Sequence, residues 1–181
     1  VTGTQNLGQT VIWRRDTAGQ FTNTTLDDEA VQSQANGVSI INTPSGIIIV
    51  VCGKCQLPNG DWHSCLWKIS AAGIERTDLG TLAGANSEAM ALFNRENVAG
   101  FYVVGNADRP NGRTLAAAWV VGLTGNGGLD WFVRALPTPP GSESSAVYIA
   151  PANGGVWRVS GMVEESNGRR SASIWINQGE I

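Results

Sequence analysis

The residues with most chemical potential lie close together in one stretch. Cys52, Cys55 and Cys65 are the only cysteines, and His63, the only histidine, stands among them. Three thiols and an imidazole are the donor set of a tetrahedral zinc site. The spacing argues against one, because Cys52 and Cys55 are three apart near a strand, where odd spacing sends side chains to opposite faces. No metal is assigned. A redox role for Cys52-Gly53-Lys54-Cys55 needs a helix N-terminus to lower the thiol pKa, and the surrounding sequence offers none. A disulfide between Cys55 and Cys65 depends on the loop at Asn59-Gly60, which they flank almost symmetrically. An odd number of loop residues would put both thiols on one face, and a two-residue turn would put them on opposite faces. The sequence leaves both open. Asp61, Trp62 and His63 are the candidate ligand contacts. An exposed aromatic flanked by hydrogen-bonding groups suits a glycan or a protein surface. The structural alternative is that Trp62 covers the cysteine hairpin.

Catalytic chemistry finds little support. A single histidine excludes multi-histidine metal centres. Gly141-Ser142-Glu143-Ser144-Ser145 lacks the second glycine of a nucleophile elbow. The acid pairs Asp27-Asp28 and Glu164-Glu165 are adjacent rather than spaced across a cleft, which reads as solvated turns rather than a glycosidase pair. Asp61, Asp108 and Glu164 are loop acids without the regular ligand spacing of a calcium loop. Asn23-Thr24-Thr25 is a glycosylation sequon, relevant only in a glycosylating host. No catalytic residue and no cofactor is assigned.

These residues belong to a repeat. Gly53, Gly105 and Gly161 close equivalent strands; Gly60, Gly112 and Gly168, each preceded by Asn, follow seven residues later; Trp67, Trp119 and Trp175 follow at fourteen. A worn copy with Gly3 and Trp13 opens the chain. Each full unit reads as four strands, a to d. The tally is b-c-d in residues 1–36, a-b-c-d in 37–86 and 87–142, and a-b-c in 143–181. Residues 27–36 are read as a polar linker. The Asn-Gly pairs predict type I′ hairpins between b and c. Leu66 and Trp67 should point to opposite, equally covered faces, and the four repeated tryptophans, Trp13 included, read as filling between sheets. Trp131 and Trp157, within apolar strands, are expected in the core too. Four-stranded antiparallel units of about 50 residues point to an all-β, β-propeller-like array. An open sandwich is the competing architecture.

Composition agrees. The chain of 181 residues can bury a substantial core, and its 23 glycines with many Val, Ile, Thr, Ser and Asn suit short strands and tight turns. Charged residues are 15%, against roughly 25% in typical soluble domains. The sheet faces are therefore expected to be mostly buried. A net charge of −3 argues against a nucleic-acid partner, which needs a basic surface. No apolar run is long enough to span a membrane as a helix. The chain opens inside a repeat, without Met or a signal peptide, and is read as processed or excised from a longer product.

Asp78-Leu79-Gly80-Thr81-Leu82-Ala83-Gly84, Ser87-Glu88-Ala89-Met90-Ala91-Leu92-Phe93-Asn94, Val103-Val104-Gly105 and Ala117-Ala118-Trp119, with His63-Ser64-Cys65-Leu66-Trp67, resemble the bacterial HAF-type extracellular repeat. The match is sharpest in the second and third units; the fourth has Ala150 where the pattern has Asn, and the first lacks strand a. The resemblance implies a secreted or surface protein of propeller-like repeats, and implies no active site. The expectation is a non-catalytic binding or scaffolding module. Its partners would be other copies of itself, giving a ring or filament through incomplete end units, or the rest of a longer chain. The alternatives are a glycan-binding, lectin-like propeller and a propeller glycosidase or lyase with loop carboxylates.

Overall fold

The computed structural model describes residues 2–5, 9–26, 32–43, 46–95, 99–125, 127–151 and 156–177. Among them there are strands and turns and no helix. The strands form four antiparallel sheets, each a simple meander in chain order. The first holds β1 (Thr2–Gln5), β2 (Gln9–Arg15) and β3 (Phe21–Thr25). The second holds β4 (Ser33–Thr43), β5 (Gly46–Gln56), β6 (Trp62–Ser70) and β7 (Gly73–Gly80). The third holds β8 (Ser87–Asn94), β9 (Gly100–Asp108), β10 (Thr114–Leu123) and β11 (Leu129–Ala135). The fourth holds β12 (Glu143–Pro151), β13 (Trp157–Glu164) and β14 (Arg170–Asn177). The all-β, antiparallel reading holds; no closed barrel or ring is formed among the described residues. One boundary moves. Residues 33–36, read as linker, open β4, while Asp27 and Asp28 lie outside the described residues.

The b–c hairpins differ from the type I′ expectation. Each is a three-residue loop in which only the glycine has positive φ: +92° at Gly60, +76° at Gly112 and +80° at Gly168. Gly60 N donates to Leu57 O (2.9 Å) and Leu57 N to Asp61 O (2.7 Å), the pattern of a type I turn closed by a glycine bulge. Gly112 and Gly168 make the same turn bond, to Arg109 O and Glu165 O. The asparagines contribute through their side chains. Oδ1 of Asn59, Asn111 and Asn167 accepts from the amide two residues on, at Asp61, Arg113 and Arg169 (3.1, 3.2 and 2.8 Å).

Alternation along the strands then sorts side chains into separate cores. Val51, Cys55, Cys65, Trp67 and Ile69 pack against Ile12 of the first sheet. Their neighbours Val50, Cys52 and Leu66 pack against Phe101, Val103 and Trp119 of the third. Val104, Ala116 and Ala118 pack against Ala146, Ile149, Trp157 and Val159 of the fourth. The two inner sheets are thus buried on both faces, and Leu66 and Trp67 are both inaccessible. Trp67, Trp119 and Trp175 each face the preceding sheet. The indole N–H of Trp119 donates to Leu79 O (3.1 Å) and that of Trp175 to Pro137 O (2.7 Å), so a polar atom enters the core without an unmet bond. Trp13 is half-buried and Trp157 is core. Trp131 is not: it is 37% exposed on the outer strand β11, its indole reaching Leu79 O at 3.3 Å.

The opening strand of each sheet from the second onward carries two repeated devices. The first is a bulge, at Asn36, Met90 and Val147, where pairing slips by one residue against β5, β9 and β13. It pushes a carbonyl, from Gln34, Glu88 or Ser145, against the backbone of Gly53, Gly105 or Gly161, where any Cβ would collide with it. The repeated glycine is required for close approach rather than for a special φ. The second is a buried serine at the strand's start. Ser33, Ser87 and Ser144 Oγ accept from the amides of Thr10, Ser64 and Ala116 in the preceding sheet, at 3.1, 2.7 and 2.9 Å.

Gly105→Ala is expected to cost about 3 kcal/mol or more, or to prevent folding, because the obstacle is backbone. Gly122→Ala should cost far less, its Cβ meeting nothing nearer than 3.9 Å. Urea unfolding of the two variants checks this, and equal small losses would contradict the glycine's assigned role.

Candidate functional site

The hairpin between β5 and β6 divides the expected contacts. Trp62 pairs with Gln56, and His63 with Cys55, so their side chains point to opposite faces. The Trp62 face is shared by Lys54 and turns toward the third sheet; the His63 face is shared by Cys55 and Cys65 and turns toward the first. Trp62 therefore does not cover the disulfide. Asp61 remains in the turn, where Asn59 Nδ2 donates to its carboxylate at 2.7 Å. His63 Nδ1 lies 2.9 Å from an oxygen of Asp78, whose other oxygen accepts from the amide of Gly80 at 2.7 Å. Of the three candidates, Trp62 enters a cleft.

That cleft, of about 350 Å³, lies between the second and third sheets. Lys54 Nζ sits 5.3 Å from the centre of the Trp62 ring and 3.2 Å from Glu88 Oε2, an ion pair whose side chains are about one-quarter exposed. Glu88 Oε1 accepts from Asn36 Nδ2 at 3.0 Å. Asn86 ties the two walls: its Oδ1 accepts from the Trp62 amide at 3.0 Å, and its Nδ2 donates to Asp108 Oδ2 at 3.1 Å. Thr114 Oγ1 donates to the other oxygen of Asp108 at 2.8 Å. The site thus offers an aromatic ring, a compensated ion pair, a carboxylate and an amide. Its acids are each engaged locally, as Glu164 is with Arg170 (2.7 Å), and no group of three or more metal-ligating side chains converges among the described residues.

The chain matches no protein-family model and no curated protein in sequence. Any functional reading therefore rests on geometry. Of the residues lining this cleft, the sequence singled out Trp62 as a ligand contact and Asp108 only as a loop acid, and passed over Lys54, Asn86, Glu88 and Thr114. The signal for Lys54 and Glu88 was their adjacency to the repeat residues Gly53 and Ala89, which fixes where register brings them.

Behind the hairpin, Cys55 and Cys65 form a disulfide with Cα atoms 6.1 Å apart. The odd loop makes this possible: Cys65 pairs with Gly53, two residues from Cys55, so the bridge runs diagonally on one face. Cys52 points into the opposite core and is the free thiol. The three cysteines therefore do not converge on a metal.

Burial pushes the Cys52 thiol from 9.0 up to about 12. Since the folded value is raised, its contribution to stability is whole below pH 9 and is lost as pH rises toward 12. Native protein at pH 9 should leave Cys52 unalkylated by iodoacetamide, while urea-unfolded protein is labelled at once. Peptide mass mapping reads the difference, and labelling of native protein at the unfolded rate would contradict the burial.

Proposed function

We propose that this chain is a non-catalytic binding or scaffolding module of a secreted or cell-surface protein, its sheets serving as successive blades of a propeller-like repeat array. The observation that carries this reading is a break in the burial pattern at the last sheet. Leu66, Ala118 and Ile174 occupy one repeat position, immediately before the repeated tryptophan. The first two are 0% and 1% exposed because the next sheet covers them; Ile174, on the far face of the fourth sheet, is 69% exposed. Tyr148 and Ile176 are exposed with it. Exposed large apolar side chains gathered on one face suit an interaction site, here with Ser160 and Arg158 of the middle strand among them. At the other side, Val38, Ile40 and Ile47 of the second sheet are exposed beside the first sheet, which among the described residues has no counterpart of β4.

Both features fit a cover of the same kind as the inner sheets already have: another sheet of this repeat. For the 181-residue chain alone, that cover is a second copy, joined head to tail. A longer chain would supply it through further repeats. The Cys55–Cys65 disulfide favours an oxidising compartment, and the HAF-type resemblance supports a secreted, propeller-like array.

Light scattering on the eluting protein should show a mass above 19.1 kDa that rises with concentration. Ile174→Glu should return it to the monomer, with little change in unfolding temperature because the residue is exposed. A mass fixed at 19.1 kDa at every concentration would contradict assembly through this face.

A further inference from the structure

The ring and ion pair around Trp62 are not a feature of every junction between sheets. The repeat allows a direct comparison, since the fourth sheet has the same bulge and glycine and joins the third through the same serine contact. In that pair the positions of Lys54, Trp62 and Glu88 are occupied by Asn106, Thr114 and Ser145. No aromatic ring and no ion pair stand there, yet the packing is the same. The ring and its charged neighbours are therefore an addition at one interface, and an addition that stacking does not require asks for another use.

We propose that this cleft is a binding site for a neutral saccharide. This assigns a ligand class to the binding module described above and rests on that reading. Three features favour it. Volume comes first: about 350 Å³ is at the small end of the roughly 300–1,000 Å³ of small-molecule sites, too small for a folded partner. Charge comes second. Lys54 is already paired with Glu88, and Asp108 already accepts from Asn86 and Thr114, so a charged ligand would have to break existing partnerships. A neutral polyol need not, because carboxylates and amides keep lone pairs and N–H groups that accept or donate to hydroxyls while staying paired. Chemical mix comes third. A sugar ring has a face of C–H bonds and a rim of hydroxyls. It matches an indole, which offers apolar area at low conformational cost, set beside planar hydrogen-bonding groups. Lys54, paired with Glu88, covers one face of the Trp62 ring, so a sugar would stack on the other.

The test uses the whole protein labelled with 15N, following the indole N–H signal of Trp62 as neutral gluco-, xylo- and chito-oligosaccharides are added. One of these series should move that signal saturably, with Kd at or below about 1 mM. Trp62→Ala should weaken binding at least about ten-fold, and Trp62→Phe should lie between. Trp131→Ala, which removes a half-exposed indole elsewhere, should bind as the parent does. Cooperative unfolding of each variant separates lost binding from lost fold. No shift with any of the three series, or unchanged affinity in Trp62→Ala, overturns the site. Release of new reducing ends that disappears in Trp62→Ala would support the site and overturn the non-catalytic reading instead. A strict monomer that still binds would leave this site standing while ending the assembly reading.

Discussion

Each sheet is joined to the one before it by its opening strand, and the joint is a buried polar contact surrounded by apolar surface. A serine hydroxyl accepts a backbone amide that its own sheet leaves unpaired, at Thr10, Ser64 and Ala116 in turn. An amide buried without that partner would cost about 1–3 kcal/mol, so the serine makes close stacking tolerable where the meander alone would not. Within each sheet, the nearby bulge packs the backbone of the opening strand against Gly53, Gly105 or Gly161 of the strand beside it. With the sheets this close, side chains on both faces of the inner strands lose water together. That explains why adjacent residues such as Val50 and Val51, or Val103 and Val104, are all buried, and why charge is scarce. The tryptophans complete the same joint, each reaching back toward the preceding sheet.

The cleft is a consequence of this stacking. The sheets meet tightly where their b and c strands are apolar and part near the hairpin, where Lys54, Trp62, Glu88 and Asp108 are too polar or too large to close the gap. Because the hairpin loop is odd, the same turn sends Trp62 forward into the gap and the cysteines backward into the adjoining core, where their bridge ties β5 to β6 behind the ring. A rigid hairpin and a half-buried ion pair hold the indole in place before any ligand arrives, which lowers the ordering cost of binding.

Much of the fold was legible because the repeat is written in residues with few alternatives. Gly105 and Trp119 recur at fixed offsets since backbone approach and inter-sheet filling each admit little else. The hairpin type was misread although its signal was present: Pro58 and Pro110 precede Asn-Gly, and proline presets the first position of a type I turn. The start of β4 was missed because Gln34 and Asn36 are polar, their side chains serving hydrogen bonds at the bulge rather than a core. The serine joints were passed over although each serine opens a Ser-x-Ala triplet, at 33–35, 87–89 and 144–146, because its distance to the repeated glycine varies and serine is common in loops. Trp62 stood out as an aromatic among polar counterparts, whereas Asn86 and Glu88 acquire meaning only through the register of two sheets.

The most direct test of this stacked arrangement is amide hydrogen exchange at Thr10, Ser64 and Ala116. These amides donate to serines in the following sheet, so their protection reports the joint between sheets and not the ladder within one. All three should exchange as slowly as the central amides of β6 and β10. Exchange of Ser64 and Ala116 at the rate of a hairpin-tip amide such as Asn111 would mean that the sheets are not joined in this way.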